Sequence, residues 1–258
     1  MPVVNVKGAS VEVESLGAGR DLVLLHSLLA ERSAFDRVAP ILARKRRVWL
    51  VSLPGYGASS PAGPEVEHYA ERIAELLEAL RLPRETDVLG NGFGGFIAVA
   101  LAARHGERFN RLIAAPALAG FPEPARQPFR VLAQRVEKEG MASVLDMAIR
   151  RMFPEPFIAA HPDIVEERKR ALQKADPACF RTACLALSRL DLSALLVGIG
   201  NRTLVMAGAL DATTPPALAR ELAAGIPGAR FMEIPGCGHC PQIENPATFV
   251  AAVEGFLA

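Results

Sequence analysis

The sequence predicts an α/β fold with a mostly parallel central sheet, helices on both faces and one helical insertion. Short, continuously apolar segments alternate with helical patterns, which is typical of parallel strands joined by crossover helices. The alternation stops in the middle of the chain and resumes towards its end. With 258 residues, of which 50% are hydrophobic and 22% charged, the chain is long enough to bury such a core.

The first half of the chain supplies the amino-terminal elements of the predicted sheet. Residues 3–7 and 11–16 alternate apolar and polar side chains around Gly8, which predicts a hairpin. The patterns that follow predict further strands at 21–26, 47–53, 86–89 and 111–115, and helices at 66–82 and 96–104. Strands and helices in this order favour a parallel arrangement.

A proline-rich segment ends this alternation. Pro122, Pro124 and Pro128 follow Gly120 and predict a linker. The helical patterns after it cover 130–139, 141–152, 163–174 and 178–189, before a strand at 202–206, a helix at 215–225, a strand at 229–234 and a helix at 246–257. We therefore expect residues 1–119 and 190–258 to form the core and residues 120–189 to form a helical cap.

Composition and charge exclude several classes of protein. A net charge of +1 argues against a dedicated nucleic-acid-binding protein, and four cysteines do not make a disulfide framework. The sequence has no signal-peptide pattern and no apolar run of about 18 residues, so we expect no membrane partner and a cytoplasmic location. We expect a small-molecule substrate; the sequence does not decide between a monomer and a homo-oligomer.

The octet VLGNGFGG, residues 88–95, lies between a predicted strand and a predicted helix. Three of its glycines fit the dinucleotide-binding pattern G-x-G-x-x-G, although residues 109–119 lack the acidic residue expected to bind the ribose. The octet also fits the nucleophile-elbow pattern G-x-S-x-G, with Gly92 in place of serine. A third interpretation is a glycine-rich turn required only for packing.

Two polar residues follow other predicted strands. His26 follows the first buried strand, where backbone N–H groups can form half of an oxyanion hole, although a lone histidine there is typical of a structural hydrogen bond. Asp211 follows the strand at 202–206, on the edge of the sheet where α/β proteins place their sites, and a role as a turn or helix-cap residue is the alternative.

The segment Cys237-Gly-His239-Cys240 resembles the redox motif of disulfide isomerases. That chemistry requires a helix that begins within the motif, whereas here Pro241 follows and the predicted helix begins only near Pro246. A zinc site would need a fourth ligand close by. The other two cysteines, Cys179 and Cys184, lie on a predicted helix and are interpreted as core residues. No metal or cofactor is therefore expected.

Taken in order, these segments resemble the α/β-hydrolase-fold superfamily over essentially the whole chain. His26-Ser27 resembles the oxyanion segment His-Gly, residues 52–59 resemble D-x-P-G-x-G-x-S with Ser52 for Asp, and residues 236–246 resemble the ending G-x-G-H-x-P-x-x-E-x-P. Within the superfamily the chain is most similar to 3-oxoadipate enol-lactonases, on cap stretches at 136–153 and 176–192. Met152 stands where that group is expected to have a tryptophan.

The resemblance implies a role for each site residue. Asp211 and His239 are the acid and the base of a catalytic triad, and the N–H groups of Leu28 and Phe93 form the oxyanion hole. Gly92 occupies the position of the nucleophile and has no side chain with which to attack. Neither Asn91 nor Ser27 is expected to replace it, because Asn91 should point elsewhere and Ser27 belongs to another strand end.

The expected function is hydrolysis of a small ester, lactone or related carbonyl compound. Gly92 leaves three explanations open: an inactivated variant of a serine hydrolase, a natural relative that has lost acyl-enzyme chemistry, or a mechanism in which His239 activates water. Restoring the serine with Gly92→Ser is expected to create esterase or lactonase activity. The alternatives are a non-catalytic ligand-binding homologue and a Rossmann-type oxidoreductase.

Overall fold

The computed structural model describes residues 2–258, and its strands form one eight-stranded sheet. The strands are β1 Val3–Val6, β2 Ala9–Gly17, β3 Arg20–Leu25, β4 Arg46–Val51, β5 Asp87–Gly90, β6 Arg111–Ala114, β7 Arg202–Gly208 and β8 Arg230–Ile234. Their spatial order is β1-β2-β4-β3-β5-β6-β7-β8. The strands β4, β3, β5, β6, β7 and β8 are parallel, and only the hairpin β1-β2 runs antiparallel to its neighbours. The predicted α/β fold with a mostly parallel sheet is confirmed.

Helices cover both faces of this sheet. They are α1 Ala39–Leu42, α2 Val66–Ala79, α3 Phe93–His105, α4 Glu123–Glu139, α5 Leu145–Met152, α6 Glu155–Ala160, α7 Pro162–Leu172, α8 Pro177–Arg189, α9 Pro216–Gly225, α10 Pro241–Glu244 and α11 Pro246–Leu257. The short helices α1, α6 and α10 are absent from the sequence prediction, because segments of four to six residues carry too little periodicity to be recognised.

The complete burial of the central strands explains why the sequence pattern predicted them correctly. The side chains of residues 22–25 in β3 are at most 1% exposed, and all four residues of β5 are buried. A strand covered on both faces has no polar face, so its pattern is a continuous apolar run rather than an alternation. Because these strands are parallel, their carboxyl ends all lie at the same edge of the sheet, where open α/β sheets place their binding sites.

The segment between β6 and β7 is helical from α4 to α8, and it adds no strand to the sheet within the described residues. Its two ends are joined, since Gly120 and Asp191 form an isolated antiparallel bridge and the Leu192 N–H donates to the carbonyl of Ala119 (2.7 Å). The assignment of residues 120–189 as a separate cap stays a prediction.

The predicted linker at the start of this segment was wrong. Helix α4 begins at Glu123, directly after Pro122, and therefore includes both Pro124 and Pro128. Proline is well tolerated in the first turn of a helix, because the N–H groups there have no partner within the helix. Pro124 lies in that turn, whereas Pro128 costs the helix one internal hydrogen bond.

Candidate active site

The turn after β5 has the geometry of a nucleophile elbow. Gly92 has φ 54° and ψ −117° and is the N-cap residue of α3, so the chain reverses sharply from strand to helix at this point. A residue with a Cβ atom is strained in this conformation. The flanking glycines are required by packing, because a Cβ atom on Gly94 would overlap the carbonyl oxygen of Leu25.

The N–H groups of this turn argue against the dinucleotide interpretation. Those of Asn91 and Gly92 donate to the carbonyls of Leu25 (2.9 Å) and Pro116 (3.0 Å), and that of Gly94 donates to the carbonyl of His26 (3.0 Å). A pyrophosphate needs such groups free at the helix N-terminus. Here the protein uses them to tie the turn to its neighbouring strands.

Asp211 and His239 lie beside this turn and are hydrogen-bonded to each other. Nδ1 of His239 is 2.9 Å from Oδ2 of Asp211, and both side chains are buried. The other carboxylate oxygen of Asp211 accepts the N–H groups of Thr213 (2.8 Å) and Thr214 (2.9 Å), and the hydroxyl of Thr214 also binds the pair. The pair thus has a fixed orientation.

The ionisation of Asp211 fixes the tautomer of His239. Burial raises the pKa of the Asp211 carboxyl, but the adjacent His239 and the hydrogen bonds from His239 and Thr214 outweigh it, so that the pKa is lowered overall. An ionised carboxylate accepts a hydrogen bond from the Nδ1–H group, which leaves Nε2 of His239 unprotonated and able to accept a proton. A Cβ atom on Gly92 would lie 2.7 Å from this Nε2.

The loop that carries His239 is clamped from two sides. The Glu244 carboxylate accepts the N–H groups of Gly238 (2.7 Å) and Cys240 (3.0 Å), which flank the histidine, and burial raises the pKa of Glu244 to about 7. The amide of Asn91 donates to the carbonyl of His239 (3.0 Å), and its own oxygen accepts a hydrogen bond from Gln242 (3.0 Å). Asn91 therefore joins the elbow to the histidine loop.

His26 has a structural position, in agreement with the simpler of its two interpretations. Its Nε2 accepts the N–H group of Leu53 (3.0 Å), so Nδ1 carries the proton and donates to the carbonyl of Ser27 (2.9 Å). Burial lowers the pKa of His26 to about 4, which keeps the ring neutral near pH 7. The ring fixes the backbone at the end of β3.

Ser27 does not lie where the sequence reasoning expected it. Its Oγ is 2.5 Å from the point that a Cβ atom on Gly92 would occupy, and its Cβ is 3.0 Å from that point. The expectation that Ser27 stands apart from the nucleophile position was wrong. Residues 25–27 run beside the elbow, whose N–H groups bind the carbonyls of Leu25 and His26, so β3 and β5 end side by side.

A narrow cavity of about 10 Å³, close to the size of one water molecule, lies against these groups. It is lined mainly by apolar and aromatic side chains, together with Ser27, Thr213, His239 and Arg151. Leu28 and Phe93, whose N–H groups are expected to form the oxyanion hole, also line it. Phe93 is the first residue of α3, so its N–H group lies at the positive end of the helix dipole.

Arg151 is the charged residue of this cavity, and the sequence reasoning did not identify it. Its guanidinium lies 4.8 Å from the centre of the Phe129 ring, and its Nε is buried with no hydrogen-bond partner within residues 2–258. Burial lowers the pKa of Arg151. No motif marks this residue, because it lies on α5 and reaches the site only through the packing of the helical segment.

The cysteines near His239 do not form a redox pair. Burial raises the pKa of Cys237 to about 11 and that of Cys240 well above its ordinary value, so both thiols are protonated near pH 7. A reactive cysteine needs a lowered pKa. Across residues 2–258, no three His, Cys, Asp or Glu side chains are grouped closely enough to hold a metal ion.

Comparison with known proteins agrees with this geometry. Residues 22–253 match the alpha/beta hydrolase family. The chain belongs to this family. Within the family, the chain is 31% identical to a pimeloyl-(acyl-carrier protein) methyl ester esterase of Aeromonas hydrophila, over 96% of this chain and 99% of that protein. It is 30% identical to 3-oxoadipate enol-lactonase 2 of Acinetobacter baylyi, over 92% of this chain and 88% of that protein.

A solved structure of the same family superimposes on nearly the whole hydrolase chain. The enol-lactonase from Burkholderia xenovorans LB400 has a TM-score of 0.93 and 27% identity, and the match covers 99% of both chains. The resemblance to the enol-lactonases, drawn from motifs in the sequence, is therefore confirmed. Between residues 2 and 258, no helix combines the length and the apolar character needed to span a bilayer.

Proposed function

We propose that this alpha/beta hydrolase cleaves a small ester or lactone that carries a carboxylate group. The proposal depends chiefly on one observation: Nε2 of the Asp211-bound His239 faces a small cavity at the elbow. A base in this position removes a proton from the group that attacks a carbonyl carbon. Asp211 then stabilises the imidazolium that forms.

The oxyanion of the tetrahedral intermediate needs donors close to the same point. The N–H groups of Leu28 and Phe93 are proposed as these donors, since both residues line the cavity and Phe93 begins α3. Donors fixed in advance are among the largest contributions to acyl transfer, at ~10²–10³ in rate for one donor. This half of the mechanism needs no side chain at Gly92.

Arg151 is the reason that a carboxylate is proposed on the substrate. A guanidinium whose Nε is buried without a partner is costly unless an anion binds it. The rest of the cavity wall is largely apolar, so an anionic group on the substrate would be bound at this one place. The enol-lactonase and pimeloyl-ester esterase relatives are named for substrates of the lactone and ester class, which agrees with the proposed bonds.

The test compares two esters of similar size. The purified protein is assayed with p-nitrophenyl butyrate and with the mono-p-nitrophenyl ester of succinic acid, which carries a free carboxylate. We expect a higher kcat/KM for the succinate ester, and a loss of ~10²–10⁴ in rate with His239→Ala. Arg151→Met should reduce the preference about 10- to 100-fold, because a charge-assisted hydrogen bond contributes ~1.5–3 kcal/mol.

Arg150→Met is the matched control, since Arg150 lies next to Arg151 on α5 but is exposed to solvent. It should leave the preference unchanged. The proposal would be contradicted if the unmodified protein hydrolysed both esters no faster than His239→Ala does, while still binding the intact succinate ester. That result would favour the non-catalytic ligand-binding homologue.

A further inference from the structure

We propose that the Ser27 hydroxyl is the nucleophile of this hydrolase, relocated from the elbow to the end of the neighbouring strand. The inference rests on the proposed function, because it supplies the attacking group that Gly92 lacks. The Ser27 hydroxyl and the His239 ring both lie close to the position that a Cβ atom on Gly92 would occupy. A Cβ atom on Gly92 would lie 2.5 Å from Oγ of Ser27 and 2.7 Å from Nε2 of His239.

The hydroxyl therefore lies in the volume that an elbow side chain would fill. In an elbow with serine, the hydroxyl oxygen is one bond from Cβ and is directed towards the histidine. Here Ser27, which follows β3, places an oxygen in the same volume from the neighbouring strand end. Only a residue without a side chain at position 92 leaves room for it. Gly92 is thus the complement of Ser27 and not merely a missing serine.

Ser27 is held in place by its surroundings. Its carbonyl accepts hydrogen bonds from Nδ1 of His26 (2.9 Å) and from the N–H of Ala30 (3.2 Å), which fix the peptide group that follows its Cα atom. The residue is only 1% exposed, yet it lines the cavity. A nucleophile must meet both conditions, since it has to be oriented and has to reach the substrate.

The oxyanion donors keep their relation to the relocated nucleophile. An elbow hole combines the N–H of the residue after the nucleophile with an N–H from the loop that follows β3. With Ser27 as nucleophile, Leu28 becomes the residue that follows it, and Phe93 at the elbow supplies the second donor. Both residues line the same cavity as Ser27 and His239.

The proposed reaction has two steps. Nε2 of His239 takes the proton of the Ser27 hydroxyl while Oγ bonds to the carbonyl carbon; the tetrahedral intermediate then breaks its bond to the leaving alkoxy group, which takes the proton from His239. Water then gives a proton to His239 and attacks the acyl-Ser27 ester. Cleavage of the ester returns that proton to Oγ and releases the carboxylic acid. Within residues 2–258 no hydrogen bond joins Oγ of Ser27 to Nε2 of His239, and the proposed step requires this bond to form when substrate binds, as is common for catalytic hydrogen bonds.

The inference is tested by covalent labelling with an alkyl fluorophosphonate, which phosphonylates an activated hydroxyl and releases fluoride. Trypsin cleavage isolates residues 21–32, in which Ser27 is the only hydroxyl residue, and residues 85–104, in which Thr86 is the only one. We expect the label on residues 21–32 of the unmodified protein and its loss in His239→Ala. Ser27→Ala should lower hydrolysis of the succinate ester by about 100-fold or more.

Ser33→Ala is the control, because Ser33 lies on the same loop but outside the cavity wall. Hydrolysis that persists in Ser27→Ala, or that proceeds with no label on residues 21–32, would overturn the inference. The proposed function would then stand, with water as the attacking group. Label on Ser27 without ester turnover would support the inference while the proposed function fails. The labelling of the unmodified protein is decisive even if Ser27→Ala does not fold.

Discussion

The loops after β7 and β8 and the loops after β3 and β5 meet at one cavity, but they hold their chemical groups differently. The first pair presents Asp211 and His239 through hydrogen bonds between side chains and backbone. The second pair presents Ser27 and Gly92 mainly through hydrogen bonds between backbone groups, to which the ring of His26 adds one bond to the Ser27 carbonyl. A base needs a fixed tautomer, whereas a hydroxyl needs only a fixed position, so the second half can be rearranged without disturbing the first.

The largest effect is expected in the acid and base half. Asp211→Asn replaces the acceptor at Nδ1 of His239 with an amide that donates, which favours the tautomer with the proton on Nε2. We expect kcat for the succinate ester to fall by ~10⁴, with little change in the thermal unfolding midpoint. A variant that retains more than a tenth of the activity would show that the pair does not act as acid and base.

The next largest effect is the pH dependence of the unfolding free energy caused by His26, which lies in the half that carries Ser27 and Gly92. The pKa of His26 is lowered by burial from 6.5 to about 4, so the folded protein excludes a proton that the unfolded chain binds. Stability from this group is present above pH 6.5 and is lost as the pH falls towards 4, by up to about 3 kcal/mol. Urea unfolding at pH 7 and pH 5 measures this loss.

His26→Gln provides the comparison for that measurement. It should be less stable than the unmodified protein at pH 7, because the ring fills a buried site. Its unfolding free energy should also fall less between pH 7 and pH 5. An equal fall in both proteins would mean that another group causes the acid sensitivity.

A smaller effect concerns the crowding between Ser27 and residue 92. Gly92→Ser alone should lose ~1–3 kcal/mol of stability, because serine is strained at this φ and its Cβ meets the Ser27 hydroxyl. This revises the expectation that the single change restores activity. Ser27→Gly/Gly92→Ser removes the steric conflict and should recover part of the stability, with the fluorophosphonate label moving to residues 85–104. If the two changes are additive in stability, the side chains do not compete for one space.

The smallest effect is expected at Glu244, in the loop of the base. Its folded pKa of about 7 lies above the ordinary value of 4.5, so its contribution to stability is present below pH 4.5 and is lost as the pH rises to about 7. Compared with the unmodified protein, Glu244→Gln should therefore retain about 1–2 kcal/mol more unfolding free energy as the pH rises over this range, less than the full ~1.4 kcal/mol per pKa unit because solvent reaches part of the carboxylate. A profile unchanged by the substitution would rule out Glu244 as the source.

The sequence was informative where local rules decide the structure. Buried parallel strands, the glycine-rich turn, and the order of Asp211 and His239 all carry patterns of their own. Ser27 and Arg151 lie within segments that carry a family resemblance, but no pattern assigns them a role, since each reaches the site through packing between elements distant in the chain. Pro124 misled the boundary prediction because proline is tolerated in the first turn of a helix, and Pro128 did so because α4 continues through it at the cost of one internal hydrogen bond.

The end of α5 touches both the acid loop and the base loop. The hydroxyl of Thr213 donates to the carbonyl of Arg151 (2.8 Å), and the N–H of His239 donates to the carbonyl of Met152 (3.0 Å). Because both bonds go to neighbouring carbonyls of one helix end, a shift of α5 would move the acid loop and the base loop together, and the geometry of the Asp211–His239 pair is thereby coupled to the packing of the helical segment.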